Sequence, residues 1–347
     1  MTAATRTTTI GTAIGAAGTF GLGAFVARRL LFPTPYTATA TVRPSAPASA
    51  GSANEVTFAA TRDTRLPGTY RIARGSTSVR VGQLLGSGDG DGDTVRRQLV
   101  DGPRPAAGDW TWDALMHDVV AEVLPGPATG ADAAVATTHV VHVHGQSLGP
   151  RQVLRGIPVW QALGASSEIV DTADLPLRSL DPGAADRIVD RVRAARERGA
   201  ERVVLQGWSA GALACSIAAS RTPVDGLVGI SPLLDVRSAL RGAVGAFRLP
   251  RFVGSVAARI ATTPVLSRLA GAAEPVRTAT WQASGTPTLL LRSTADPFVA
   301  ATDVSAAARG GATVVSFATA PHTLEWNEDP ERFDSAVRTF AATLDHA

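Results

Sequence analysis

The chain has 347 residues, 45% of them hydrophobic and 18% charged, which suffices for one large domain with a substantial core or for two small ones. The sequence pI of 9.9 reflects the absence of lysine and the scarcity of groups titrating between neutrality and the arginine range, since the formal net charge is only +3. No basic block is interleaved with aromatic residues, which argues against a nucleic-acid partner, and the single cysteine, Cys215, excludes an intrachain disulfide.

From Thr7 to Ala27 no charged residue occurs. Twenty-one residues at helical rise span about 31 Å, close to the bilayer hydrocarbon thickness. Arg28 and Arg29 follow the segment and Arg6 alone precedes it, the reverse of a cleaved secretory signal. Residues 1–32 are therefore expected to form a membrane anchor or signal-like segment, with the positive-inside tendency placing the following domain on the cytoplasmic side. Residues 33–54, rich in Pro, Ala, Ser and Thr with Arg43 as their only charge, read as an extended tether, so the folded domain, 55–347, is expected to begin near Glu55.

Short β-prone runs follow at Val56–Phe58, Thr69–Ile72, Ser78–Leu85, Val119–Val123 and Ala133–Thr137, separated by turn clusters, and predict an antiparallel meander. The tract Asp89-Gly90-Asp91-Gly92-Asp93 resembles the start of a calcium loop, but Val100 stands where the bidentate acid belongs, so a solvated hairpin tip is expected. After His139 strands alternate with helices. Strands are predicted at His139–His144, Ser167–Val170, Arg202–Leu205, Leu227–Ile230, Thr288–Leu291 and Thr313–Ser316. Helices are predicted at Pro150–Leu163, Pro182–Arg198, Ala210–Ser220 and from about Pro330 to Leu344. Such alternation predicts an α/β fold with a largely parallel sheet covered on both faces. About fifty residues, 236–285, intervene between two strands and carry arginines among Leu, Val and Phe. They are expected to form a helical cap over a site at the C-terminal strand ends; their basic, apolar character also suits a membrane surface, but a plain packed helical layer is the preferred reading.

Two segments fit the nucleophile-elbow pattern G-x-S-x-G, Gly145-Gln146-Ser147-Leu148-Gly149 and Gly207-Trp208-Ser209-Ala210-Gly211. A serine needs a base and an acid behind it, and in the strand-turn-helix arrangement the chain order is Ser, then Asp or Glu, then His. Downstream only His322 is a credible base, because His346 is the penultimate residue. Asp296, in the loop after Thr288–Leu291, is the best-placed acid, with Asp235 in reserve and an N-cap role for Asp296 as its rival. Ser209 is preferred over Ser147 because small residues follow it, because an earlier strand-loop at His144-Gly145 can supply an oxyanion donor, and because strands lie on both sides of it. His142 and His144 on a predicted strand suggest a metal pair with His139, but no cysteine or carboxylate cluster completes such a site, so core or loop-orienting roles are expected.

The blocks His142-Val143-His144-Gly145, Gly207–Gly211, Ala295-Asp296-Pro297-Phe298-Val299 and His322–Asn327 resemble those of the α/β-hydrolase superfamily, and more narrowly hydrolases of high-GC bacteria with an N-terminal hydrophobic segment. The resemblance spans most of Val56–Leu344. It departs at Gln146-Ser147-Leu148, which mimics a second elbow, and at Arg292-Ser293, where relatives more often carry His-Gly. It implies a Ser209-Asp296-His322 triad and oxyanion donors from the backbone N–H groups of Gln146 and Ala210. The expected activity is hydrolysis of small-molecule or lipid carboxylic esters through an acyl-enzyme, with no cofactor and no metal. The rivals are an acyltransferase or thioesterase on the same residues, and a catalytically silent, membrane-tethered binding protein.

Overall fold

A computed structural model of the chain describes residues 18–29, 31–32, 39–45, 54–87, 93–114, 136–246, 248–276, 280–282 and 285–345. The first described element is a helix over residues 18–29, here α1. Seven strands then form an antiparallel sheet: β1 (Thr39–Val42), β2 (Pro44–Ser45), β3 (Glu55–Ala59), β4 (Tyr70–Arg74), β5 (Thr77–Ser87), β6 (Thr94–Asp101) and β7 (Trp110–Asp113), in the spatial order β1-β7-β4-β5-β6-β3-β2. Alternation drives it, since Val56 and Phe58 of β3, Tyr70 and Ile72 of β4, and Val79 and Val81 of β5 are all buried. Tyr70 and Trp112 stack with centroids 4.8 Å apart. The guanidinium of the buried Arg97 donates to the carbonyls of Gly82, Thr64, Leu66 and Gly68, which is how a charge is tolerated there.

This part departs from the sequence reading in two ways. Residues 39–45, within the stretch read as a tether, pair as edge strands, β1 on β7 and β2 on β3, because a Thr/Val alternation at Thr39–Val42 can bury Val42. The runs missed were β6, whose paired arginines mask the alternation, and β7, a four-residue aromatic strand. The predicted runs at Val119–Val123 and most of Ala133–Thr137 lie outside the described residues, as does most of the Asp-Gly tract, although β5 and β6 flank that tract and pair antiparallel.

A parallel sheet follows: β8 (Thr138–Val143), β9 (Ser166–Val170), β10 (Arg202–Trp208), β11 (Gly226–Ile230), β12 (Thr288–Ser293) and β13 (Thr313–Phe317), in the order β13-β12-β11-β10-β8-β9. Its connections include α2 (Pro158–Ala162), α3 (Pro182–Glu197) and α4 (Ala210–Ala219). After β11 come α5 (Val236–Ala246), α6 (Arg251–Thr262) and α7 (Pro264–Ser267), and after β12 comes α8 (Ala301–Arg309). α9 (Glu325–Glu328) and α10 (Pro330–Leu344) close the chain. The predicted helix Pro150–Leu163 is interrupted: a 3-10 turn over Pro150–Gly156 precedes α2, whose first residue is Pro158.

Successive residues of the parallel strands face two cores. Val141, Val143, Val203 and Leu205 pack with α3 and α4, whereas Val140, Val204, Val228 and Leu289 pack with Trp160 of α2, Phe333 and Phe340 of α10, and the antiparallel sheet. A further cluster joins α1 to the 236–285 insertion, with Val26, Ala27 and Leu31 buried against α5 and α6. Among the described residues no helix is long and apolar enough to cross a membrane. Of the segment read as a bilayer span, residues 18–27 are described and helical, about 15 Å, and one face of that helix is covered by protein.

Candidate active site

The sheet's strand order reverses between β8 and β10: from β8 the chain moves outward to β9, then returns across β8 to β10 and runs the other way. A crevice opens at the carboxyl ends of strands at such a switch point. Gly207 of β10 stands level with Val143 of β8, so the loop His144-Gly145-Gln146 and the turn at Ser209 leave the sheet side by side.

Ser209 holds φ 53° and ψ −119°, a strained conformation between β10 and α4. Two glycines make that turn possible. A Cβ on Gly207 would lie 2.4 Å from Ala212 Cα, and one on Gly211 would lie 2.5 Å from the carbonyl oxygens of Val143 and His144. Gly211→Ala is therefore expected to push α4 off the sheet, lowering stability by about 1–3 kcal/mol and displacing Ser209. A thermal melt and a kcat unchanged from wild type would contradict this packing.

His322 lies in the loop after β13. Its Nδ1 is 2.6 Å from Asp296 Oδ2 and its Nε2 is 2.8 Å from Ser209 Oγ. A carboxylate can only accept, so the neutral ring carries its proton on Nδ1 and offers Nε2 to the serine hydroxyl. Asp296, with its side chain fully buried, also accepts from the Phe298 N–H at 2.9 Å. Burial alone would raise the Asp296 pKa, but the charge and hydrogen bond of His322 outweigh it and hold the carboxyl below its ordinary range. Burial opposes protonation of His322 in the same way, and the Asp296 carboxylate overcomes it, so the imidazole sits above its ordinary value. The ring keeps 26% of its surface, on the pocket side.

The oxyanion candidates stand beside this row. Gln146 and Ala210 both line the pocket with Ser209, and neither backbone N–H donates a hydrogen bond among the described residues. The loop bearing Gln146 is held by Gln152 Oε1, which accepts from Gly145 N–H at 2.6 Å, and by Arg178, which donates to the Gln146 carbonyl at 2.7 Å. Ser147 lines the same pocket from this loop, and the first G-x-S-x-G is a turn before a 3-10 segment rather than a strand-to-helix elbow. Asp235, the reserve acid, caps α5 by accepting from Ser238 N–H and lines a different cavity. The three strand histidines each pair with β9 or the loop after it: His139 with Ser166, His142 with Ser167 and His144 with Asp171.

Of four supporting residues, Asn327 is the one the sequence reading places as a brace of the histidine loop, while Arg155, Glu325 and Glu328 carry no sequence signal for their roles. Arg155, fully buried, donates to the Thr323 carbonyl at 3.2 Å and to Asn327 Oδ1, and it lies over the Trp208 ring at 5.0 Å. Asn327 in turn donates to the carbonyls of Thr69 and Ala114, tying the histidine loop to the antiparallel sheet. The Glu328 carboxylate accepts from the backbone N–H groups of Ala318, Thr319 and Ala320 and so shapes that loop. Behind Asp296 lies a second, fully buried carboxyl, Glu325, hydrogen-bonded to Ser231 Oγ, which also accepts from Thr323 N–H at 2.9 Å. Ser209, Ser231 and Thr323 all have positive φ, so strain is concentrated around one cavity. Distant partners in the chain supply this frame, and sequence spacing carries no signal for it.

Burial pushes Glu325 up to about 7, and its charge, once formed, favours protonated His322. Glu325→Gln is therefore expected to move the acidic limb of kcat/KM to lower pH while changing the plateau by less than about tenfold. A carboxyl raised on folding contributes stability below its unfolded pKa that is lost as pH rises through about 7. The glutamine variant should accordingly gain melting temperature relative to wild type between pH 5 and 8. A pH profile superimposable on wild type would remove Glu325 from the site's electrostatics.

The cavity measures about 570 Å³, and much of its lining is apolar, including Leu31, Leu148, Leu233, Val236, Leu240 and Phe298, with Ser209 and His322 exposed in it. Strand order, elbow and switch-point crevice together define an α/β-hydrolase fold. Residues 46–113, from β3 to β7, match a family described as a domain of unknown function, DUF8805. No curated protein matches the chain. Solved structures similar to it include a protein of the alpha/beta hydrolase superfamily from Xanthomonas campestris, at 22% identity over 60% of this chain and 99% of that one, with a TM-score of 0.41. An esterase of Pyrococcus furiosus is similar at 17% identity over 60% and 83% of the two chains, with a TM-score of 0.44. A bacterial membrane phospholipase A is similar at 18% over 60% and 80%, with a TM-score of 0.41. Likenesses of this size leave the chemistry to be read from the site itself.

Proposed function

We propose that the chain is a serine hydrolase that cleaves carboxylic esters through an acyl-enzyme. The observation that carries the reading is the imidazole of His322 bridging Ser209 Oγ at 2.8 Å and Asp296 Oδ2 at 2.6 Å on the wall of an apolar cavity. His322 Nε2 takes the hydroxyl proton as Ser209 Oγ attacks the ester carbonyl, and Asp296 holds the tautomer and stabilises the imidazolium. The backbone N–H groups of Ala210 and Gln146 receive the oxyanion, each contributing about 3–4 kcal/mol to the transition state. The C–O bond to the alcohol breaks as His322 returns the proton to the leaving oxygen. Water, activated by the same histidine, then releases the acid and regenerates Ser209.

The lining fits an acyl chain, and the N-terminal segment keeps the enzyme at a membrane. A series of nitrophenyl esters tests the substrate side: kcat/KM should rise about fourfold per added methylene until the cavity is filled, and a fluorophosphonate should label wild type at Ser209. An intact protein that neither hydrolyses the series nor takes the label is not a serine hydrolase. Formation of a new ester on adding an alcohol, in preference to the free acid, would turn the assignment to acyl transfer.

A further inference from the structure

We propose that α1 and the α5–α7 insertion form a single face that docks flat on an anionic lipid bilayer, so that ester-bearing lipid passes from the bilayer into the cavity along α1. The two elements are in direct contact. A Cβ on Gly23 of α1 would meet Val256 of α6 at 2.5 Å, and one on Gly271, past α7, would meet Arg28 at 2.4 Å and Phe32 at 3.9 Å. Their inner sides are buried together, and Leu31 continues from there to the cavity wall.

The outer side is unlike the rest of the surface. Every exposed phenylalanine among the described residues lies here, at positions 20, 25 and 32 beside α1 and at 252 on α6, together with exposed Leu22 and Val265. Phe25 keeps 51% of its surface and Phe252 keeps 56%. Side chains of this size gathered on adjoining elements mark an interaction surface.

Charge identifies the occupant. No acidic residue occurs before Glu55 or between Val236 and Ala273. Arg28 and Arg29 lie on α1 and six more arginines lie between Val236 and Gly271, all eight exposed. With a formal net charge of +3 for the whole chain, everything outside these two elements is net negative. Large apolar side chains set among arginines, in stretches of chain that hold no acidic residue, suit the headgroup boundary of an anionic bilayer, where the rings enter the acyl region and the guanidinium groups meet phosphates. Leu31, just past α1, lines the cavity together with Val236, Ala239 and Leu240 of α5, so the docking elements border the cavity directly. Gln146 binds the carbonyls of Leu31 and Leu177 through its side-chain amide, at 3.1 and 3.0 Å, and so joins that wall to the oxyanion loop.

The passage of substrate rests on the serine-hydrolase reading, whereas the docking does not, and one experiment separates them. The full chain is floated with vesicles of phosphatidylcholine alone and of phosphatidylcholine mixed equally with phosphatidylglycerol, at low salt and at about 1 M salt. Hydrolysis of a soluble short-chain nitrophenyl ester is followed in parallel. Binding should require phosphatidylglycerol and be lost in high salt. Arg251→Gln and Arg259→Gln should each weaken it about fivefold, and Phe252→Ser about tenfold, with soluble-ester turnover unchanged in all three. Binding that ignores lipid charge, salt and these substitutions would mean a bilayer-spanning attachment and overturn the proposal. So would a lipid-free dimer that Phe252→Ser converts to monomer, because a second copy would then be the occupant. Charge-dependent flotation of a protein inert on the soluble ester would keep the docking face and remove the hydrolase.

Discussion

Ser209→Ala is expected to lower kcat for a nitrophenyl ester by about 10⁵–10⁶-fold, to abolish fluorophosphonate labelling, and to leave the melting temperature within a few degrees of wild type. Among the described residues no other serine on the cavity is placed to substitute. Ser231 Oγ is engaged by Glu325 and by the Thr323 N–H, and Ser147 sits in the loop after β8. The proposed oxyanion donors and the apolar cavity survive the substitution, so a residue of activity above the uncatalysed rate should persist. Stability should be spared because alanine has the same Cβ at φ 53° and forfeits only the hydroxyl contact with His322. Ser147→Ala serves as the control, with a loss of less than about tenfold. The opposite ranking of the two serines would overturn the assignment.

Asp296→Asn is the second large effect, about 10³–10⁴-fold in kcat. An amide N–H facing Nδ1 would drive the imidazole proton onto Nε2, where it confronts the serine hydroxyl instead of accepting from it. The pH profile should report the same change. In wild type Asp296 overcomes burial and raises His322, so the acidic limb of kcat/KM should lie above the ordinary histidine value of about 6.5. Without the carboxylate, burial prevails and the limb should fall below it. Stability follows from linkage. The depressed Asp296 contributes above its unfolded pKa of about 3.9, and the raised His322 contributes below about 6.5. The melting-temperature deficit of the variant should therefore be greatest between those values and shrink as pH rises through the folded His322 pKa or falls through that of Asp296. A deficit independent of pH would mean that the two groups do not pair as ions.

The parallel half of the molecule was legible because its strands carry continuous apolar runs and its helices begin at proline, as at Pro182 and Pro330. The elbow was legible because glycine is needed on both sides of Ser209. The antiparallel half was read less well. β6 contains Arg96 and Arg97, and the burial of Arg97 depends on four carbonyls brought from other loops. The N-terminal segment reads as an anchor or signal-like segment because its composition is apolar and free of charge, and in its described part Val26, Ala27 and Leu31 are covered by a cluster containing α5 and α6, more than two hundred residues away.

Local pattern carries the order of chemistry-bearing residues, Ser209 then Asp296 then His322, and the small-residue turn that can expose a serine. Their meeting is a product of long-range packing. Strand reversal between β8 and β10 sets Gln146 beside Ser209, while Arg155, Asn327, Glu328 and the Glu325–Ser231 pair hold the histidine loop at hydrogen-bond distance. Short-range patterns record backbone preference and burial. The hydrogen bonds that fix a side chain to within a fraction of an ångström come from partners as much as 258 residues distant, and for those a single sequence has no periodicity to offer.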